Sequence, residues 1–152
     1  MQNLSLIKHT NGAIGLRYFG LGPNLTPVKG MQKLQDLLKT NTSWASQRNK
    51  KDIKKMISKS NVIVSAWNNK KMIGFGRATT DEIYRATLWD IVVDQNYQRL
   101  GIGKKIIKSI INDKHLIQVE KIYIMTTECE EFYLKMGFQK ERIQNLMTLK
   151  RY

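Results

Sequence analysis

The sequence predicts a mixed α+β fold, in which about four helices flank a twisted sheet of about seven mostly antiparallel strands. Short apolar runs separated by turn residues predict antiparallel hairpins. One strongly amphipathic helix lies between two such runs, and this order predicts that the two strands are parallel. The chain has 152 residues, of which 41% are hydrophobic. This is enough for one domain with a substantial core, so we expect residues 1–152 to form a single domain.

The N-terminal part predicts one strand and two helices. Ile14–Phe19 reads as a strand, and Thr26-Pro27 is typical of a helix start, with an N-cap residue before a proline. The apolar residues that follow share one helical face: Met31, Leu34, Leu37 and Leu38. A second helix is predicted between about Ser46 and Ser60, with Ile53, Met56 and Ile57 turned inward.

The central part predicts a hairpin, a further strand and a helix. The stretches "NVIVSAW" and "KMIGFGRATT" flank the turn residues 68–70, which is typical of a β-hairpin. Ala86–Val93 predicts the next strand. After a glycine loop, an isoleucine stripe opposite several lysines predicts an amphipathic helix; the stripe is Ile102, Ile106, Ile107, Ile110 and Ile111.

The C-terminal part predicts a strand, a short helix and a last hairpin. Lys121–Met125 reads as a strand parallel to Ala86–Val93. A short helix near Glu128–Met136 ends at Gly137, a residue favoured just past a helix end. Phe138–Tyr152 predicts two final strands.

Composition excludes several classes of protein. No apolar run approaches the roughly 20 residues of a membrane span, and a single cysteine, Cys129, excludes an intramolecular disulfide. No histidine accompanies Cys129, so we expect a small buried residue rather than a nucleophile. No cluster has metal-ligand spacing, so no metal is predicted. The net charge of +14 raises the possibility of a nucleic-acid partner. However, the densest run, Lys50–Lys55, lacks interleaved aromatic residues and is more simply a solvated face.

The stretch "YQRLGIGKKIIKSII", residues 97–111, suggests an anion site. A helix N-terminus has unpaired N–H groups and a positive dipole end, and glycines let an anion approach them. The spacing G-x-x-x-x-G-K-[ST] of a nucleotide P-loop is absent. A dinucleotide fingerprint is incomplete, because Ile106 stands where its third glycine belongs.

"VVDQNYQRLGIGKK" resembles instead the pyrophosphate loop of the GNAT superfamily of acyl-CoA-dependent N-acetyltransferases. The family pattern [Q/R]-x-x-G-x-[G/A] is matched by Gln98, Gly101 and Gly103. Downstream, "FYLKMGF" resembles the family's tyrosine-bearing helix before a K-x-G-F turn. The order of predicted elements over roughly residues 13–152 also follows the family. The resemblance implies a GNAT fold and acetyl-CoA as co-substrate.

The resemblance also implies how the co-substrate is held. The backbone of Ile91, Val92 and Val93 would pair with the pantetheine arm, and one of these N–H groups would serve the oxyanion. The diphosphate would lie on the loop formed by Gln98, Arg99, Leu100, Gly101, Ile102, Gly103 and Lys104. Thr126 stands where the family often has an asparagine that contacts the cofactor, so the resemblance places Thr126 among the cofactor-binding residues.

Two residues are predicted to be catalytic. Tyr133 matches the family's general-acid tyrosine and also contacts the cofactor; the alternative is a core tyrosine with a bonded hydroxyl. Asp90 is an acid in an apolar strand, which suggests a base that deprotonates the amine. The alternative is a carboxylate satisfied by backbone groups or an arginine. Simple alternation places Leu88, Asp90 and Val92 on one side of the strand.

"LWDIVVDQNYQRLGIGK" and "TTECEEFYLKMGF" are similar to the plastid and cyanobacterial branch that includes serotonin N-acetyltransferases. The resemblance implies direct acetyl transfer to a primary amine of the serotonin or arylalkylamine type. Acetylation of protein lysines or N-termini is the alternative, and a basic nucleic-acid-binding module with a degenerate cofactor site is a weaker one. We expect a soluble protein of the plastid stroma or a bacterial cytoplasm, with no membrane or specific nucleic-acid partner and a possible homodimer.

Overall fold

The computed structural model describes residues 3–9 and 29–151. The strands are β1 (Leu4–His9), β2 (Val62–Asn68), β3 (Lys71–Thr80), β4 (Arg85–Val93) and β5 (Lys121–Ile124). The α-helices are α1 (Gly30–Asn41), α2 (Lys50–Ser58), α3 (Ile102–Ile111) and α4 (Glu130–Leu134), and a 3₁₀ turn spans Gln95–Tyr97. The strands form one sheet in the order β1-β2-β3-β4-β5. All neighbours are antiparallel except β4 and β5, which are parallel. The predicted mixed α+β class and the parallel pair are confirmed.

Local patterns explain most of these elements. The turn between β2 and β3 is short because Asn69 adopts a left-handed conformation with φ +52°, which asparagine tolerates better than most residues. The Asn49 side chain caps α2 by accepting a hydrogen bond from the Asp52 N–H at 2.9 Å. Gly137 has φ +94° just beyond α4, the left-handed conformation expected of a residue that ends a helix.

The predicted strand count is wrong. Residues 138–151 contain no strand, and residues 139–151 are all exposed. The apolar residues there do not alternate, since Leu146 and Met147 are adjacent, so neither face of a hairpin would be uniformly apolar. β1 takes the place of an outer strand but was not predicted. The predicted strand Ile14–Phe19 and the N-cap Thr26 lie outside the described residues.

The sheet separates two apolar cores. On one face α1 and α2 pack against β2 and β3, with Leu34, Leu38, Ile53, Ile57, Trp67 and Phe75 buried between them. On the other face α3 and α4 cover the same strands and β4, with Ile73, Leu88, Ile102, Ile106, Ile110 and Tyr133 buried. The sheet is therefore covered on both faces, by α1 and α2 on one side and by α3 and α4 on the other.

A β-bulge interrupts β4 at its centre. Trp89 pairs with Arg77 and Val92 pairs with Phe75, so Asp90 and Ile91 together lie opposite Gly76. Asp90 has φ +54°, a left-handed conformation unusual for a residue with a side chain. The predicted alternation, with Leu88 and Val92 on the same side of the strand, is wrong, because the extra residue of the bulge turns the residues after it to the other face. Leu88 is buried under α3, whereas Val92 is buried under α1 and α2.

Two glycines in β3 determine how closely α3 approaches the sheet. A methyl group on Gly76 would lie 2.7 Å from Ile106 Cγ2 and 2.7 Å from Ile91 Cδ1. A methyl group on Gly74 would lie 2.8 Å from Ile106 Cδ1. All three distances are shorter than van der Waals contact, so a larger residue at either position would displace the isoleucine side chains that pack there.

We expect Gly76→Ala to lower the free energy of unfolding by about 1–3 kcal/mol, the usual cost of overpacking a core. Ile106→Val supplies a matched test, because valine lacks Cδ1 but keeps the Cγ2 methyl group. It should relieve part of the cost of Gly74→Ala and little of the cost of Gly76→Ala. Urea denaturation of the three single and the two double variants measures this, and equal relief at both glycines would contradict the packing described.

Candidate active site

β4 and β5 pair over only part of the length of β4. The parallel ladder joins Arg85–Leu88 to Lys121–Ile124. β5 ends there, whereas β4 continues to Val93. Beyond Leu88, β4 therefore has an edge that is unpaired on its β5 side, within the part of the chain that the structure describes.

This open edge of β4 provides backbone hydrogen-bond donors. The Asp94 N–H donates to the Ile73 carbonyl of β3 at 2.9 Å. Because N–H direction alternates along a strand, Val92 also points its N–H toward β3, while those of Ile91 and Val93 point to the open edge. Of the three backbone groups predicted to meet a pantetheine arm, two thus face the open side.

The glycine loop adds a run of free N–H groups at the same end of the sheet. The N–H groups of Arg99–Lys104 donate to no residue within the ranges 3–9 and 29–151. The first bond at this end of α3 joins the Lys105 N–H to the Gly101 carbonyl at 3.0 Å. No side chain caps the helix. Free donors together with the positive end of the helix dipole form a site for an anion.

The side chains of the predicted loop point in different directions. The Gln98 Nε2 donates to the Val93 carbonyl at 3.2 Å, which holds the loop against the open edge of β4. Ile102 is buried in the core under α3. The side chains of Arg99, Leu100 and Lys104 are exposed. The loop would therefore contact a ligand mainly through its backbone.

Two residues of the loop have left-handed backbone conformations, Arg99 with φ +61° and Gly101 with φ +77°. A methyl group on Gly101 would meet nothing within 4 Å, so the space beside it is open. A methyl group on Gly103 would lie 3.3 Å from Phe132 Cζ and 3.7 Å from Val93 Cγ2. The first turn of α3, the end of β4 and helix α4 therefore meet at Gly103.

A polar cluster that was not predicted anchors the start of the loop. The buried Asp94 carboxylate accepts hydrogen bonds from the Asn96 N–H at 2.9 Å and from Lys71 Nζ at 2.8 Å. Burial alone would raise the pKa of Asp94, but these hydrogen bonds outweigh it and lower the pKa. The Gln95 N–H donates to Asn41 Oδ1 at 2.8 Å, which ties the loop to α1. The sequence signal that could have indicated this turn is an aspartate directly after a strand, since an aspartate side chain often accepts the N–H of the residue two positions later.

Tyr133 lies in α4 with its ring buried between two other rings. Its centroid is 5.1 Å from that of Phe132 and 5.7 Å from that of Phe138, both in edge-to-face geometry. Burial raises the pKa of the Tyr133 hydroxyl to about 12, and the neighbouring Cys129 adds a smaller contribution. The hydroxyl makes no hydrogen bond to the residues that the structure describes. A protonated donor is thus available at this position at any physiological pH.

Asp90 is engaged by two arginines. Arg48 Nη1 donates to its Oδ1 at 2.9 Å and Arg77 Nε donates to its Oδ2 at 2.6 Å. Only 4% of the carboxylate side chain is exposed. This arrangement favours the alternative interpretation, a satisfied structural carboxylate, over a proton acceptor. Nothing in the sequence pattern pointed to Arg48 or Arg77, because their contact depends on how distant segments pack.

The residues just before α4 also differ from expectation. Cys129 is exposed, so the prediction of a buried cysteine is wrong. It precedes the helix rather than belonging to its apolar face, and its carbonyl accepts the Phe132 and Tyr133 N–H groups. Thr126 is exposed, and its Oγ1 accepts the Cys129 N–H at 3.1 Å. Its hydroxyl therefore organises the turn that leads into α4.

Comparison with protein families agrees with this geometry. A model described as an acetyltransferase (GNAT) domain matches residues 59–140, more than half of the 152-residue chain. The chain belongs to the GNAT family of acetyltransferases. The matched range contains the β4 edge, the glycine loop and the helix that carries Tyr133.

Individual GNAT relatives have different names. An uncharacterized N-acetyltransferase ycf52 of Pyropia yezoensis is 33% identical over 103 residues, which are 64% of this chain and 59% of that protein. A histone acetyltransferase of Glycine max is 36% identical over 73 residues, 47% of this chain and 32% of that protein. GCN5-related N-acetyltransferase 2, chloroplastic, of Arabidopsis thaliana is 33% identical over 73 residues, 47% of this chain and 28% of that protein. The chain spans less than two thirds of the length of these relatives.

A solved structure supports the fold over nearly the whole chain. The crystal structure of a putative acetyltransferase of the GNAT family from Xanthomonas campestris pv. campestris superposes with a TM-score of 0.72. The alignment covers 97% of this chain and 93% of that one at 19% identity. The GNAT fold is confirmed. None of the described helices is long and apolar enough to cross a membrane.

The described residues fit the acetyl-CoA that the GNAT family uses. A diphosphate needs several donors and close backbone approach, and the uncapped N–H groups of Arg99–Lys104 with open space beside Gly101 offer both. A pantetheine amide chain needs strand-like partners, which the open edge of β4 supplies at Ile91 and Val93. The fit uses backbone groups almost throughout, so it does not depend on the exposed side chains of the loop.

We expect Gly101→Val to abolish measurable acetyl-CoA binding in a protein that still folds. The side chain would enter the open space beside the loop, and the left-handed φ would add strain of about 1–2 kcal/mol. Gly137→Val is the matched control, because Gly137 also has positive φ and open space but lies outside the loop. Calorimetric titration should show a loss of acetyl-CoA affinity in Gly101→Val but not in Gly137→Val. The melting temperature should fall by a similar amount in both variants. Retained affinity in folded Gly101→Val would contradict the loop assignment.

Proposed function

We propose that this protein transfers an acetyl group from acetyl-CoA to a primary amine, by direct attack in a ternary complex. The observation that carries the proposal is that two sets of free backbone N–H groups lie next to each other, one on the glycine loop and one on the edge of β4. The uncapped loop Arg99–Lys104 lies at the end of the strand whose open edge contains Ile91 and Val93. The loop suits a diphosphate and the edge suits the amide chain attached to it.

In this proposal the chain binds and orients the acyl donor. The N–H groups of residues 99–104 hold the diphosphate, and those of Ile91 and Val93 pair with the pantetheine arm. One of these two N–H groups also faces the thioester carbonyl and stabilises negative charge on its oxygen during attack. Thr126, near the start of α4, is the residue on that side proposed to contact the cofactor. When bound, acetyl-CoA supplies an activated acyl group and a thiolate leaving group.

Tyr133 supplies the donor for that leaving thiolate. A hydroxyl with a pKa of about 12 stays protonated through the physiological range. A thiol has an ordinary pKa of about 8.5, so complete proton transfer from Tyr133 would be uphill. The hydroxyl therefore acts mainly by donating a hydrogen bond as negative charge develops on sulfur.

We propose an arylalkylamine of the serotonin type as the acceptor. Trp44 supports this choice, because the residue is 52% exposed and the Arg48 guanidinium lies 5.4 Å from its ring centre, so its ring can stack with that of an aromatic amine. The exposed carboxylates of Glu128, Glu130 and Glu131, close to Tyr133 in the chain, also favour the approach of a cationic amine to α4. A plastid location accompanies the proposal, supported by the chloroplastic relative of Arabidopsis thaliana.

Acetylation of protein lysines or N-termini is the second candidate. The observation that favours it is the similarity to a protein named histone acetyltransferase in Glycine max. A nucleic-acid-binding role is a weaker candidate, supported only by the exposed lysines of α2: Lys50, Lys51, Lys54 and Lys55.

A thiol-release assay tests the choice of acceptor. With acetyl-CoA present, we expect serotonin and tryptamine to give a higher kcat/KM than spermidine or lysine peptides. Trp44→Ala should lower kcat/KM for the aromatic amines about tenfold and change it little for spermidine, since only a ring loses its stacking partner. A preference for peptides would select the second candidate. The absence of turnover, together with salt-dependent binding of RNA, would overturn the proposed function.

Tyr133→Phe tests the leaving-group donor. We expect kcat to fall by about 10²-fold, the lower end of the range for a lost general acid, with acetyl-CoA affinity unchanged. Phenylalanine keeps both ring contacts, so the melting temperature should hold. Because the pKa of Tyr133 is about 12, its ionisation should not lower the wild-type kcat between pH 7 and 10. A core tyrosine without a chemical role would show nearly normal turnover in the variant.

A further inference from the structure

We propose that Asp90 is a positioning residue, which together with Arg48 and Arg77 fixes the bulge of β4 and thereby aligns the backbone donors of its open edge. The proposal rests on the proposed acetyl transfer, because kcat is one of its readouts. It replaces the predicted role of Asp90 as a base, and it assigns a role to two arginines that the family motifs do not include.

The bridge joins three separate parts of the chain. Arg48 belongs to the connection between α1 and α2, Arg77 to β3, and Asp90 to the bulge of β4. Each guanidinium has further contacts on the same side of the sheet. Arg48 Nη1 lies 3.4 Å from the sulfur of Met56, and Arg77 Nη1 donates to Ser60 Oγ at 3.3 Å.

Two indole rings lie against the guanidinium groups of the bridge. The Arg48 guanidinium lies 5.4 Å from the ring centre of Trp44, and that of Arg77 lies 5.7 Å from the ring centre of Trp89. The Trp89 ring is itself fixed, since its Nε1 donates to Thr79 Oγ1 at 2.8 Å. An ion pair whose carboxylate is buried and bonded by two partners holds a geometry much better than an exposed one.

The geometry of the bulge needs such a restraint. A residue with a side chain stays at φ +54° only where its surroundings hold it there. Each carboxylate oxygen of Asp90 is held by a different arginine, so its side chain cannot turn without breaking an ion pair. The next residue, Ile91, contributes the first N–H group of the open edge. The bridge therefore fixes the direction of the first donor of the open edge.

The same contacts argue against proton transfer to Asp90. Each oxygen already accepts a short, charge-assisted hydrogen bond, and the carboxylate is almost completely buried. An amine could reach it only by displacing Arg48 or Arg77. A base would need the opposite arrangement, with one oxygen free and exposed to the acceptor site.

The roles separate when Asp90→Asn is compared with Arg48→Gln. If the bridge positions the edge, each variant should lower kcat about 10- to 100-fold, and by the same factor for amines of high and low pKa. The double variant should be no slower than either single one, because the bridge is already broken. If Asp90 were a base, the loss of kcat in Asp90→Asn would grow with the pKa of the amine, and Arg48→Gln would lose little kcat. That pattern would overturn the proposal.

Two further variants complete the comparison. Arg85→Gln is the matched control, because it removes an ion pair of the same strand that is exposed, Arg85 to Glu120 at 3.2 Å. It should leave kcat unchanged. Arg48→Lys keeps the charge and should recover part of the kcat that Arg48→Gln loses. If Asp90→Asn alone does not fold, Arg48→Lys and the double variant, which leaves less uncompensated charge, supply the test.

Amide chemical shifts provide a readout that does not need turnover. The ¹⁵N–¹H resonances of Ile91 and Val93 should move in Asp90→Asn and in Arg48→Gln, but not in Arg85→Gln. Unchanged resonances in both bridge variants would overturn the positioning role, whatever the assay shows. Absence of wild-type turnover with every amine would instead overturn the proposed function, so the two failures are distinguishable.

Discussion

The close approach of α3 to the sheet is the constraint on which the rest of the site depends. Gly74 and Gly76 leave no side chain between β3 and the isoleucines of α3, so the helix axis lies nearer the sheet than larger residues would allow. This position brings the N-terminus of α3 to the end of β4. The free N–H groups of the glycine loop and the open edge of the strand then form one continuous surface, although they belong to different elements.

The chemistry of this surface is almost entirely that of the backbone. An uncapped helix end and an unpaired strand edge are normally unfavourable, because their polar groups lack protein partners. Here both are kept, and the surrounding side chains serve to hold them in place. Gln98 binds the Val93 carbonyl, Asp94 anchors the turn before the loop, and Asn41 ties that turn to α1. The polar groups with no protein partner are the ones left for a ligand.

Charge is distributed in a way that fits this division. The lysines that give the chain its net charge of +14 lie largely on exposed helix faces, such as that of α2. The buried carboxylate of Asp90 instead forms a compact bridge with Arg48 and Arg77 at the bulge of β4. Exposed lysines contribute little to geometry because their side chains are mobile and screened by salt. The buried bridge, by contrast, restrains the backbone at one point of one strand.

The sequence alone determined the elements whose signals are local. The β2–β3 hairpin, the isoleucine stripe of α3, the strand parallel to β4 and the glycine at the end of α4 all follow from patterns a few residues long, and so does the glycine loop. Tertiary structure decided what depends on contacts between distant segments. The bulge of β4 arises from pairing with β3, the partners of Asp90 lie 42 and 13 residues away in the chain, and the exposure of Cys129 depends on where α4 begins. Periodicity reports which residues prefer burial, but it carries no information on strand register or on which charged groups meet, because those are fixed only when the helices pack on the sheet.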